Sequence, residues 1–93
     1  MTTLRTIFRY EITDREGTIG PLRRGWTVRH VGVKEGRPNI WIEVPHEDDD
    51  EAQKQFEYKV VGTGDVFPSN WSYLGTWVTE TGYVWHLYGV PGS

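Results

Sequence analysis

Three histidines, His30, His46 and His86, are the side chains best suited to bind a transition metal. With Glu43 or Asp65 as a third ligand, two of them could make a site if the fold brings them together. Their spacing does not require it, and a histidine in mid-strand more often hydrogen-bonds a neighbour. Residues 46–51, "HEDDDE", gather carboxylates but lack the graded oxygen spacing and the glycine of a calcium loop. Their mutual repulsion makes an exposed loop instead. Residues 60–65, "VVGTGD", place two glycines directly after a strand, as a phosphate loop does. No lysine or helix follows, and Asp65 would repel a phosphate, so a turn using glycine's freedom of φ is the better reading.

Nucleophilic catalysis has little to build on. The serines are Ser69, Ser72 and Ser93, and none lies in a nucleophile elbow. Glu43 and Glu57 are carboxylates on strands, and such a pair matters only in a cleft with shifted pKa values. The expectation is a non-enzymatic protein with no cofactor and no bound metal.

The aromatic residues are the stronger signal. Residues 71–90, "WSYLGTWVTETGYVWHLYGV", read as two strands around a turn at Gly82. Strict alternation puts Tyr73, Trp77, Tyr83, Trp85 and Leu87 on one face, and Leu74, Val78, Val84, His86 and Tyr88 on the other. A hairpin apolar on both faces is either central in a sandwich or half-covered by a partner. Stacking on nucleic acid would want basic neighbours, and no Lys or Arg occurs from Gly62 to the end. The expected contact surface for a protein partner is therefore Trp71, Tyr73, Trp77, Tyr83, Trp85 and Tyr88, with Arg23, Arg24 and Trp26 beside it. Arg24, Trp26 and Trp71 fall in or near turns, where an anchor residue is exposed.

Positioning these residues calls for many short strands. The 93 residues suffice for a single domain, 1–93, with a modest core. Five Trp, five Tyr and three Phe suit that core, since each buried aromatic removes on the order of 150–250 Å² from water. "TIFRYEI" alternates, with Phe8, Tyr10 and Ile12 on one face and Ile7, Arg9 and Glu11 on the other. "TIGPL" is a weak strand cut by Pro21. "WTVRHVGV" and "IWIEV" flank a turn, and "FEYKVVG" restarts the alternation after the acidic run. The best helical segment is "DDDEAQKQ", at most about two turns. The fold class is all-β: a small antiparallel β-sandwich or partly closed barrel of about six to seven strands.

Composition narrows the setting. There are no cysteines, which excludes disulfides and thiolate chemistry and fits a reducing cytoplasm. No apolar run reaches the roughly 18–20 residues of a membrane helix. The net charge is −3, a balance unlike that of a dedicated nucleic-acid binder. The basic residues cluster early, at Arg5, Arg9, Arg15, Arg23, Arg24, Arg29, Lys34 and Arg37, while the segment after Glu43 is acidic. One basic and one acidic side would suit docking to a charged protein.

Five elements in order resemble a family of small uncharacterised proteins from tailed phages and bacteria. They are "TIFRY", "PNIWIEV", "VGTGDVFP", "YLGT" and "VWHLY". Where that family has a histidine after "GTG", this chain has Asp65, which favours a structural role for the turn. The resemblance implies a phage or prophage origin and a host-cytoplasmic setting, and it brings no activity with it. The expected function is a phage-encoded binding protein that contacts a host protein or a second copy of itself. The alternatives are a protein that sequesters a nucleotide, using Arg23, Arg24 or Arg29 with a Trp, and a minor virion component.

Overall fold

Strands form where apolar and polar residues alternate. The computed structural model describes residues 4–46 and 54–91, and among them there are seven strands and no helix. They are β1 (Arg5–Glu11), β2 (Glu16–Leu22), β3 (Thr27–Lys34), β4 (Arg37–Pro45), β5 (Lys54–Gly62), β6 (Ser72–Val78) and β7 (Val84–Val90). One sheet has the order β1–β4–β3 and the other β2–β5–β7–β6. Every ladder is antiparallel. Neither sheet closes on itself, so the architecture is a small β-sandwich and not a barrel.

Period-two alternation sends one face of each strand inward. Ile40, Ile42 and Val44 of β4 meet Phe56 and Tyr58 of β5, Trp77 of β6 and Leu87 of β7 in a single core. Burying each such aliphatic side chain is worth about 1.5–3 kcal/mol. At one margin β3 of the first sheet lies against β6 of the second. There the sheets approach so closely that a Cβ on Gly75 would sit 2.4 Å from Val31 Cβ. Only glycine fits that gap.

The turns follow their chemistry. Glu35 and Gly36 join β3 to β4 with φ of 53° and 78°, the two left-handed residues of a type I′ hairpin. Between β6 and β7, the Thr79 N–H donates to Tyr83 O at 2.8 Å, and Gly82 takes a φ of 89°. The segment read as a weak strand is a full one. β2 pairs with β5 from Glu16 to Ile19 and again at Leu22, with a register shift around Pro21. Lys54 and Gln55, read as the end of a helical segment, begin β5 instead. The rest of that segment and the acidic run 47–51 lie outside the described residues.

Candidate functional site

β7 directs Trp85 and Leu87 inward and Val84, His86 and Tyr88 outward. β6 would match this by strict alternation, but its register with β7 shifts between Tyr73 and Gly75. This bulge at Leu74 turns Tyr73 onto the outer face, opposite Tyr88, and corrects the expected grouping of Tyr73 with Trp77 and Trp85. Glycine at 75, beside the bulge, is the sequence signal that marks it.

The consequence is a shelf of aromatic rings on the outside of the four-stranded sheet. Tyr73 meets Tyr88 edge-on at 5.6 Å between centroids. Tyr88 meets Phe67 at 4.5 Å, and Phe67 stacks on Trp71 at 5.8 Å. Such pairs are worth about 0.5–1.5 kcal/mol beyond their buried area. Beneath them Val61 is buried outside the main core. The Lys59 ammonium lies 5.5 Å from the Trp71 ring centre. Tyr73 remains 59% exposed, and neighbouring Val66 is exposed almost entirely.

A string of hydrogen bonds runs along the shelf. Tyr73 Oη lies 2.6 Å from Thr76 Oγ1, which lies 2.8 Å from His86 Nδ1. Each hydroxyl is satisfied when Tyr73 donates to Thr76 and Thr76 donates to His86 Nδ1. A hydroxyl beside an imidazole is a nucleophile–base pair in outline. Through Thr76 the string fixes the Tyr73 and His86 rings relative to each other.

The other expected contact residues divide. Trp77 is 7% exposed and belongs to the core, so it lies off the aromatic shelf and reaches only the floor of a cleft. Trp26 and Trp85 are half-buried against that core, Trp26 stacked on Phe56 at 4.8 Å. Arg23 braces the end of β4, donating to Pro45 O at 3.0 Å and His46 O at 2.9 Å. Arg24 is exposed between β2 and β3, and Tyr83 is exposed at the β6–β7 turn. Of the nine residues expected from sequence, the shelf unites Trp71, Tyr73 and Tyr88. Phe67 completes it and was missed, because its place in the 63–71 connection carries no strand pattern.

The glycine turn after β5 already holds an anion. The Gly62 N–H donates to Asp65 Oδ2 at 2.8 Å, and Arg15 pairs with the same oxygen at 3.3 Å. The Asp65 carboxylate thus takes up the Gly62 N–H and the Arg15 guanidinium that an anion at this turn would otherwise use. Arg15 also covers Trp85, 5.1 Å from the ring centre. Beside it lies a cleft of about 320 Å³ lined by Ile12, Pro38, Val60, Trp77 and Trp85.

The outer face of the three-stranded sheet is mostly polar, with Ile7 and Trp41 as apolar exceptions. His30 packs on Trp41 at 5.3 Å. Asn39 is buried at 1% exposure, donating to Arg37 O at 2.9 Å and accepting from Arg9 at 3.4 Å. Arg29 and Arg5 both donate to Glu43 and hold its carboxyl below the usual 4.5. His30 and His86 lie on opposite outer faces and do not meet. Among the described residues no cluster of His, Asp and Glu could hold a metal.

Fold and shelf together define a small antiparallel β-sandwich with an exposed aromatic face. Residues 3–93 match the family described as a domain of unknown function (DUF7352), and the chain belongs to that family. No curated protein and no solved structure matches it.

Proposed function

We propose that this is a phage-encoded, non-enzymatic binding protein of the host cytoplasm, acting without a cofactor by docking a protein on the aromatic shelf. The observation that carries the reading is the half-exposed row Tyr73–Tyr88–Phe67–Trp71, whose rings hold one another in place before any partner arrives. Rigid aromatics bind at low entropic cost and dominate interface hot spots. The occupant is a host factor or a second copy of the chain. The test is affinity capture from host lysate, with native mass determination, comparing wild type with Tyr73→Ala and Val66→Asp. The expected result is one stoichiometric partner, host protein or second copy, retained by wild type and lost from both variants. Identical retention by all three proteins, or no partner at all, would overturn the reading.

The cleft beside Arg15 favours a second reading, a small planar anion lying in the apolar cleft along Trp85 with its charge at the edge of the Arg15 guanidinium. A nucleotide at about 100 times its Kd would then add about 2.7 kcal/mol of stability. An unchanged melting temperature across a nucleotide panel would refute it.

A further inference from the structure

A sheet with free edges invites another strand, and natural sandwiches interrupt or charge their edges to prevent this. Among the described residues four strands are edges: β1 and β3 in one sheet, β2 and β6 in the other. Three carry an interruption. β3 shifts register between Val28 and His30, β6 between Tyr73 and Gly75, and β2 around Pro21. β1 has none. It pairs with β4 without a break from Arg5 to Glu11. It also exposes apolar side chains, with Ile7 at 54%, Phe8 at 45% and Leu4 beside them.

The direction of its peptide groups can be read from the ends of the ladder. Ile12 N–H donates to Pro38 O, and His46 N–H donates to Leu4 O. Residues 4 and 12 therefore aim their peptide groups at β4, and so do 6, 8 and 10, because the direction alternates along a strand. The N–H and C=O groups of Arg5, Ile7, Arg9 and Glu11 point the other way, off the free edge. Their side chains lie on the outer face of the sheet, and those of Phe8 and Tyr10 on the inner one.

We propose that two copies of the chain pair antiparallel through β1, about a two-fold axis at Phe8, and so form one six-stranded sheet. Two-fold antiparallel pairing must set outward-pointing residues opposite each other, so the axis passes through a residue and not between two. Centred on Phe8, Arg5 faces Glu11 of the second copy on both sides of the axis, Ile7 faces Arg9, and the two Phe8 rings meet. Centred on Ile7, Arg5 faces Arg9. Centred on Arg9, that arginine faces itself. Axes further along leave most of β1 unpaired. Only the Phe8 register overlaps the whole strand and places opposite charges together.

Among the described residues the required atoms remain open. Glu11 uses Oε1 for Arg37, leaving Oε2. Arg5 uses Nε for Glu43 and one terminal nitrogen for Gly25 O, leaving the other. The surface is distinct from the aromatic shelf, which lies on the other sheet.

Sedimentation of the full chain over a range of concentrations tests this. Wild type should pass reversibly from one chain to two. Ile7→Pro removes an N–H that points away from β4 and should leave a folded single chain with an unchanged circular dichroism spectrum. Ile7→Lys sets a lysine opposite Arg9 and keeps the backbone intact, and it should weaken pairing about tenfold or more. Glu11→Arg should weaken it likewise, and the exchange Arg5→Glu with Glu11→Arg should restore it. A single chain at every concentration would overturn the proposal. So would a dimer indifferent to Ile7→Lys and Glu11→Arg, or one abolished by Tyr73→Ala.

Discussion

Replacing Gly75 by alanine tests how closely the two sheets are fitted. The added Cβ would lie 2.4 Å from Val31 Cβ and 2.6 Å from its Cγ2. Carbon atoms pack at about 3.5–4.0 Å, so β6 and β3 must part locally by more than about 1 Å. A radial gap of 0.5–1 Å already forfeits roughly a quarter to a half of each contact it opens. Overpacking of this kind costs about 1–3 kcal/mol, and a clash with a Cβ next to the backbone belongs at the upper end. A domain of this size has a total stability of roughly 5–14 kcal/mol. The loss should lower the melting temperature by about 10–20 °C, at about 4–8 °C per kcal/mol. Urea unfolding followed by tryptophan fluorescence measures it. Gly89→Ala is the internal control, because its Cβ would meet Leu74 at an ordinary 3.6 Å. That change should be close to neutral. Equal stability of Gly75→Ala and Gly89→Ala would refute the reasoning.

Three further outcomes follow from local geometry. Glu35→Asn suits the left-handed φ of the type I′ turn better and should stabilise by about 0.5–1 kcal/mol, read as a raised melting temperature. Asn39→Ala leaves Arg37 O without its buried donor and should cost about 1–3 kcal/mol in urea unfolding. Glu43 is held below its ordinary value of 4.5 by Arg29 and Arg5, so its contribution is present above that pH and lost as pH falls through the lower folded value. Acid titrations of stability should therefore be shallower for Glu43→Gln than for wild type.

Much of the fold is written in period-two alternation. Phe8, Tyr10 and Ile12 against Ile7, Arg9 and Glu11 place β1 and its inner face correctly, and Phe56, Tyr58 and Val60 do the same for β5. Gly82 marks its turn because the position needs positive φ, and residues 34–39, "KEGRPN", mark theirs, although the positive φ of Glu35 shows only in the structure. The site was less legible. Alternation carries no record of a bulge, so Tyr73 was grouped with Trp77 although one is exposed and the other buried. A proline hid the strength of β2, because Pro21 interrupts the ladder without ending the strand. Strand order is not local information, and it alone decides that His30 and His86 face away from each other. Nor does any sequence rule bury Asn39, whose partner Arg37 O is fixed only once the strand has formed.

The two short hairpins also set an order in time. β3–β4 and β6–β7 can each close within about 1–10 μs. Every other ladder joins distant segments, Arg5 with Pro45, Glu16 with Lys59 and Glu57 with Val90, and must wait for slow loop closure. Each hairpin belongs to a different sheet, so neither can seed the sandwich alone. The hairpins meet at Gly75 against Val31, and if that contact forms in the folding transition state, substitutions there should slow folding itself. If β1 joins β4 after that contact has formed, changes at Phe8 should chiefly hasten unfolding.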